Sequence, residues 1–136
     1  MKRLLITTLA AAALSTALLM NHTATAQDKP AKAAAAPYRH VVMFKFKDDA
    51  PAEKVKAVVE AFKALKDKLP AVQSLEWGTN VSPENHSQGF THIWTLSFAN
   101  KEALEKGYLH EPAHKEFGAM LGPVLDKVLV VDYVAQ

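Results

Sequence analysis

Apolar and polar residues alternate along 38–47 (YRHVVMFKFK), with His40, Val42, Phe44 and Phe46 on one face and Val41, Met43 and Lys45 on the other. A period of two predicts a β-strand. Asp48-Asp49-Ala50-Pro51 follows as a helix-start signal, since acids and proline both suit a first turn. The period then changes. Val55, Val58, Val59, Phe62, Leu65 and Leu69 form one helical stripe, with Lys54, Lys56, Glu60, Lys63 and Asp67 largely outside it. Pro70 ends that helix.

Residues 72–81 predict a second, less regular strand carrying Leu75 and Trp77. The polar run 82–89 (SPENHSQG) turns into a third strand, where His92, Trp94, Leu96 and Phe98 alternate with Thr91, Ile93, Thr95 and Ser97. Asn100 is the expected N-cap of a second helical region holding Leu104, Tyr108, Phe117, Met120 and Leu121. That region should break near Pro112 and end at Gly122-Pro123, ahead of a last strand at 127–134.

The order β-α-β-β-α-β predicts an α+β, ferredoxin-like protomer with both helices on one face of an antiparallel sheet. The last strand is apolar on both faces: Val128, Val130 and Val134 on one, Leu129, Val131 and Tyr133 on the other. Helices can cover only one of these. A second copy of the chain is the economical cover for the other, so a homodimer through the open sheet face is expected.

Composition changes the picture at the N-terminus. Lys2 and Arg3 precede an apolar run over 4–20, and Ala24-Thr25-Ala26 offers a small-x-small cleavage site before Gln27. This reads as a signal peptide, 1–26, and hence as export to the periplasm or outside the cell. The alternative is an uncleaved anchor, but the run is near the minimum for a span and lacks a basic stop-transfer flank. Residues 27–37 (QDKPAKAAAAP) read as a flexible linker, leaving one domain at 38–136. From Tyr38 onward, 12 Lys and Arg face 13 Asp and Glu, so the basic excess belongs to the leader and linker. No basic stripe with interleaved aromatics points to nucleic acid. The absence of cysteine fits an exported domain large enough to fold without disulfides.

Several short signatures recur in a definite order. They are His40-Val41-Val42-Met43-Phe44-Lys45, Pro70, Trp77-Gly78 with Asn80, Gly89-Phe90-Thr91-His92, Phe98, Tyr108, Pro112-Ala113-His114 and Asp132-Tyr133. In this order and spacing they resemble the stress-responsive dimeric A/B barrel (Dabb) family over essentially all of 38–136. The resemblance implies a protomer whose sheet packs on that of a twin to close a dimeric α+β barrel. A plant cyclase of the family closes a linear polyketide by aldol condensation, using a Tyr and a His that fall on Tyr108 and His114 here. By the same resemblance Asp132 matches its late-strand acid, and His40 and His92 match two further pocket histidines. Glu111 departs from the family pattern by standing where it usually has a histidine.

The chemistry is coherent. An aldol closure needs a base beside a carbonyl and a donor at the developing oxyanion, roles that suit an imidazole and a phenol. Asp132, sharing a face with Val128 and Val130, is expected to pair with His114 and fix its tautomer. The same three residues could instead form a purely structural hydrogen-bond cluster. His40 and His92 each start their own strand, and antiparallel pairing would set them toward opposite ends of the sheet. A cavity between helices and sheet, lined by Phe44, Phe62 and Trp94 with Tyr108 and His114 at its polar end, would suit an apolar small molecule. Finally, His110-Glu111-Pro112-Ala113-His114 matches the H-E-x-x-H zinc signature. That signature needs an unbroken helix, which Pro112 opposes, and no third ligand stands out. No metal or other cofactor is therefore expected. The ranking is a small-molecule-binding dimer first, a cyclase-like enzyme second and a zinc hydrolase a distant third.

Overall fold

Strand β1 (Tyr38–Phe46) lies inside a four-stranded antiparallel sheet of order β2-β3-β1-β4, with β2 (Ser74–Thr79), β3 (His92–Phe98) and β4 (Leu125–Val134). The computed structural model describes residues 36–136. The expected signal peptide at 1–26, and the expected linker apart from its last two residues, lie outside the described residues.

Helix α1 (Ala52–Lys68) presses Val58, Val59, Phe62 and Leu65 onto one sheet face. There they meet Phe44 of β1 and Trp94, Leu96 and Phe98 of β3, all of them buried. Phe62 stacks on Trp94 at 4.5 Å between ring centroids, and Phe44 packs against the same indole at 4.8 Å. Burying each such side chain contributes roughly 1.5–3 kcal/mol, so this aromatic layer is the main anchor of the domain. The start of α1 differs in detail from expectation. Pro51 occupies the N-cap position without a side-chain cap bond, and Asp48 and Asp49 fall in the preceding turn. At the other end the Leu69 N–H donates to the Leu65 carbonyl at 2.9 Å, and Pro70 follows.

The second helical region is broken into pieces, as Pro112 requires. Asn100 caps α2 (Lys101–Leu104), its Oδ1 accepting the Ala103 N–H at 2.8 Å. A single π-helical turn, Glu105–Leu109, carries Tyr108, and α3 (Pro112–Ala119) opens with Pro112 in its first turn. Gly107 lets this turn come close to the α1–β2 connection, for a Cβ there would lie 2.6 Å from that of Ala71. Such local widening of a helix reorients a side chain without ending the segment.

β4 behaves differently from the other strands. It is an edge strand, and Val128, Leu129, Val130, Val131, Tyr133 and Val134 are all between 42% and 51% exposed. The expectation that the helices cover one of its faces therefore needs correction. Their packing centres on β1 and β3, and the helix-side residues of β4 border open space instead. Among the described residues no helix is long and apolar enough to cross a membrane.

Candidate functional site

The space beside β4 is where the polar side chains converge. The β1–β4 register sets His40 opposite Asp132, and His40 Nδ1 lies 2.6 Å from Asp132 Oδ1. A carboxylate oxygen accepts, so the ring donates through Nδ1–H, and Nε2 is left for another partner. His40 is 5% exposed, whereas the Asp132 side chain is 32% exposed. One face of the pair is thus packed and the other is wet.

The π turn brings the Tyr108 ring edge-on to His40 at 5.6 Å, and the first turn of α3 sets the His114 ring 4.5 Å from the same phenol. The groups run in the order Asp132, His40, Tyr108, His114. Tyr108 is almost wholly buried, and burial pushes its phenol above the usual tyrosine range, so it stays a protonated donor. Burial also lowers the pKa of His114, partly opposed by the Leu109 carbonyl and reinforced by His40. A lowered imidazole is neutral at pH 7 and able to take up a proton.

These four residues form the polar end of a cavity of about 260 Å³. Its walls are apolar: Phe44, Phe62, Phe117 and Leu121 on the core side, Val128 and Val130 on β4. A larger hollow of about 540 Å³ runs along β2 past Trp77 and Val81, but Glu76 is its one titratable residue. Concave apolar walls around a few convergent polar groups mark a small-molecule site, so the smaller cavity is the candidate.

Of the residues singled out in the sequence, His40, Phe44, Phe62, Tyr108, His114 and Asp132 line this cavity together. The expected pairing of Asp132 with His114 is corrected, because strand register delivers Asp132 to His40 instead. His92 and Trp94 do not line the cavity. His92 sits opposite Phe44, four positions along β1 from His40 and roughly 13 Å away. Its Nδ1 bonds Thr91 Oγ1 at 2.9 Å, its ring meets Phe46 edge-on, and burial lowers its pKa. Trp94 is fully buried behind Phe44 and Phe62, and its Nε1 finds no partner among the described residues. The histidines of the H-E-x-x-H match fall on separate segments: His110 ends the π turn, exposed, while His114 lies in α3. No cluster of three metal-ligating side chains forms among the described residues.

Sequence reasoning missed Val42, Leu109, Phe117, Gly118, Leu121, Val128 and Val130 as lining residues. Gly118 was within reach, since it falls one helical turn after His114.

The family model described as the stress responsive A/B barrel domain matches residues 38–135. The chain belongs to this family. Stress-response A/B barrel domain-containing protein HS1 of Arabidopsis thaliana is 39% identical over 97 residues, covering 71% of this chain and 88% of that one. Olivetolic acid cyclase of Cannabis sativa is 30% identical over 95 residues, covering 70% and 93%. Among solved structures, a dimeric protein of unknown function with a ferredoxin-like fold from Bacteroides fragilis superposes with a TM-score of 0.59 at 26% identity, covering 73% of this chain and 96% of that one. Dabb membership and the ferredoxin-like fold thus rest on sequence and on shape alike.

Proposed function

We propose that this Dabb domain is exported and, as a homodimer, holds a small, mostly apolar molecule bearing a carbonyl or hydroxyl oxygen. The observation that carries the ligand reading is the cavity, with aromatic and aliphatic walls and one polar end made by Asp132, His40, Tyr108 and His114. Tyr108 O–H would donate to the ligand oxygen, and the imidazoles could accept from a hydroxyl. The homodimer is supported by the half-exposed apolar residues Leu129, Val131 and Tyr133 on the sheet face away from the helices, and by the dimeric state of the Bacteroides fragilis relative. Export is supported by the charged, apolar and small-x-small segments at 1–26.

The test of the ligand reading is calorimetric titration of the purified protein with para-alkylphenols and aliphatic methyl ketones. Binding that weakens in Tyr108→Phe is the expected result, and no uptake of any probe at millimolar concentration would sink the reading. A monomer at micromolar concentration by light scattering would refute the dimer. Export is checked by the N-terminus of protein recovered outside the cytoplasm, expected at Gln27.

A second reading is favoured by the His40–Asp132 pair. An imidazole backed by a carboxylate is a general base, and olivetolic acid cyclase is a relative named for a ring closure. In that reading His40 Nε2 or His114 takes the proton from a carbon beside a carbonyl. Tyr108 stabilises the enolate oxygen, the carbanion attacks a second carbonyl of the same molecule, and the imidazolium returns its proton to the alkoxide that forms as the C=O π bond opens. Turnover of a linear polyketone that disappears in His40→Gln and His114→Ala, with binding retained, would establish catalysis. Retained turnover in both would rule these bases out.

A further inference from the structure

Gly118 lies in α3, on the lining of the cavity and exposed to solvent, which places it where the cavity opens. Gly118 is the last residue but one of α3, where a glycine, among the poorest helix formers, costs less than at a helix centre but is not required. Two ordinary reasons for a glycine fail. Its backbone does not adopt the positive φ found at Gly89, and a Cβ at 118 would meet nothing within 4 Å, unlike one at Gly107. The fold therefore tolerates a side chain at 118, and the position is free to answer to the ligand.

The cavity is also small. At about 260 Å³ it lies below the roughly 300–1,000 Å³ of pockets that enclose a drug-sized ligand. A ligand with its oxygen at Tyr108 and a long apolar tail would outgrow the chamber and leave through the mouth.

We infer that Gly118 is a specificity-determining position, whose missing side chain keeps the mouth open for the alkyl tail of a ligand anchored at Tyr108 and His114. This rests on the cavity being the ligand site. Phe117, buried beside it, closes the inner wall, while Gly118 leaves the rim unobstructed. A branched side chain at 118 would reach across that rim and limit the tail to what the chamber itself can hold.

The test compares para-ethylphenol with para-heptylphenol on the wild-type protein, Gly118→Ala and Gly118→Leu, by calorimetry, with thermal melts run alongside. Wild-type protein is expected to bind the heptyl compound more tightly, because each methylene removed from water adds affinity. Gly118→Leu should weaken heptylphenol binding by about tenfold or more, leave ethylphenol within about twofold, and melt near the wild-type temperature. Gly118→Ala should fall between. Equal losses for both phenols, or an unchanged heptyl affinity in Gly118→Leu, would overturn the role of Gly118 while leaving the ligand site standing. If wild-type protein binds neither phenol, the site reading fails first and the gate fails with it.

Discussion

β3 and β4 flank β1 on its two sides, and both carry apolar residues at alternate positions, yet they end in opposite environments. Trp94, Leu96 and Phe98 on the helix side of β3 are wholly buried, while Val128 and Val130 on the same side of β4 are about half exposed. Alternation sets which face a residue joins; position in the sheet sets whether anything covers it. The covered half makes the fold. The uncovered half leaves the cavity beneath β4 and, on the opposite face of that strand, the exposed apolar residues Leu129, Val131 and Tyr133. A sheet packed as tightly at β4 as at β3 would have no chamber.

The contrast can be broken at its covered side first. Phe62→Ala removes the ring stacked on Trp94 and should cost about 3–5 kcal/mol, read as a shift in the urea midpoint. A loss below about 1 kcal/mol would mean the aromatic layer relaxes and is no anchor. Next comes the uncovered side. Val131→Asp puts a charge on the open face of β4, and the dimer dissociation constant should rise by about a hundredfold or more, measured by sedimentation. An unchanged constant would move the interface to another surface.

Asp132 belongs to both halves, since it sits on the exposed strand but serves a buried imidazole. Asp132→Ala should cost roughly 1–3 kcal/mol, because it leaves His40 Nδ1–H without an acceptor. Asp132→Asn, which can still accept, should recover part of that. Equal melting of all three proteins would show that water replaces the bond.

The smallest effect is the pH dependence of stability. Burial lowers the pKa values of His114, at the cavity, and His92, beside Phe46, below the usual histidine value of 6.5. The unfolded chain then binds protons that the folded chain refuses, so stability should fall as pH drops from about 6.5 through the folded values, and level off below them. His114→Gln and His92→Gln should each flatten that decline. A slope unaltered by His114→Gln would show that its imidazole is freely solvated and that the cavity is wetter than its lining suggests.

What the sequence carried was periodic and local. The shift from a period of two to three-and-four, the stop at Pro70, the cap at Asn100 and the break at Pro112 set out the strands and helices within a few residues, but not the π turn at Glu105–Leu109. The face shared by Asp132, Val128 and Val130 was readable too, because side chains on a strand alternate without regard to context. Tyr108 and His114 were singled out as a pair by the resemblance to the family and not by periodicity.

The partner of Asp132 was not readable. It lies 92 residues away, and only the pairing of β1 with β4 selects His40 over His114. The separation of His92 from His40 was readable by contrast, because antiparallel pairing of two strands that each carry a histidine near the start sets the two toward opposite ends of the sheet. The exposure of Val128 and Val130, on the face of β4 that the helices were expected to cover, was equally out of reach, since it follows from an edge position and from helices gathered over the neighbouring strands. The sequence alone determined the elements and the face of each residue, because those depend on local backbone geometry. Tertiary structure decided which polar groups meet and which apolar residues stay uncovered, because both depend on strand register and on where the helix layer ends.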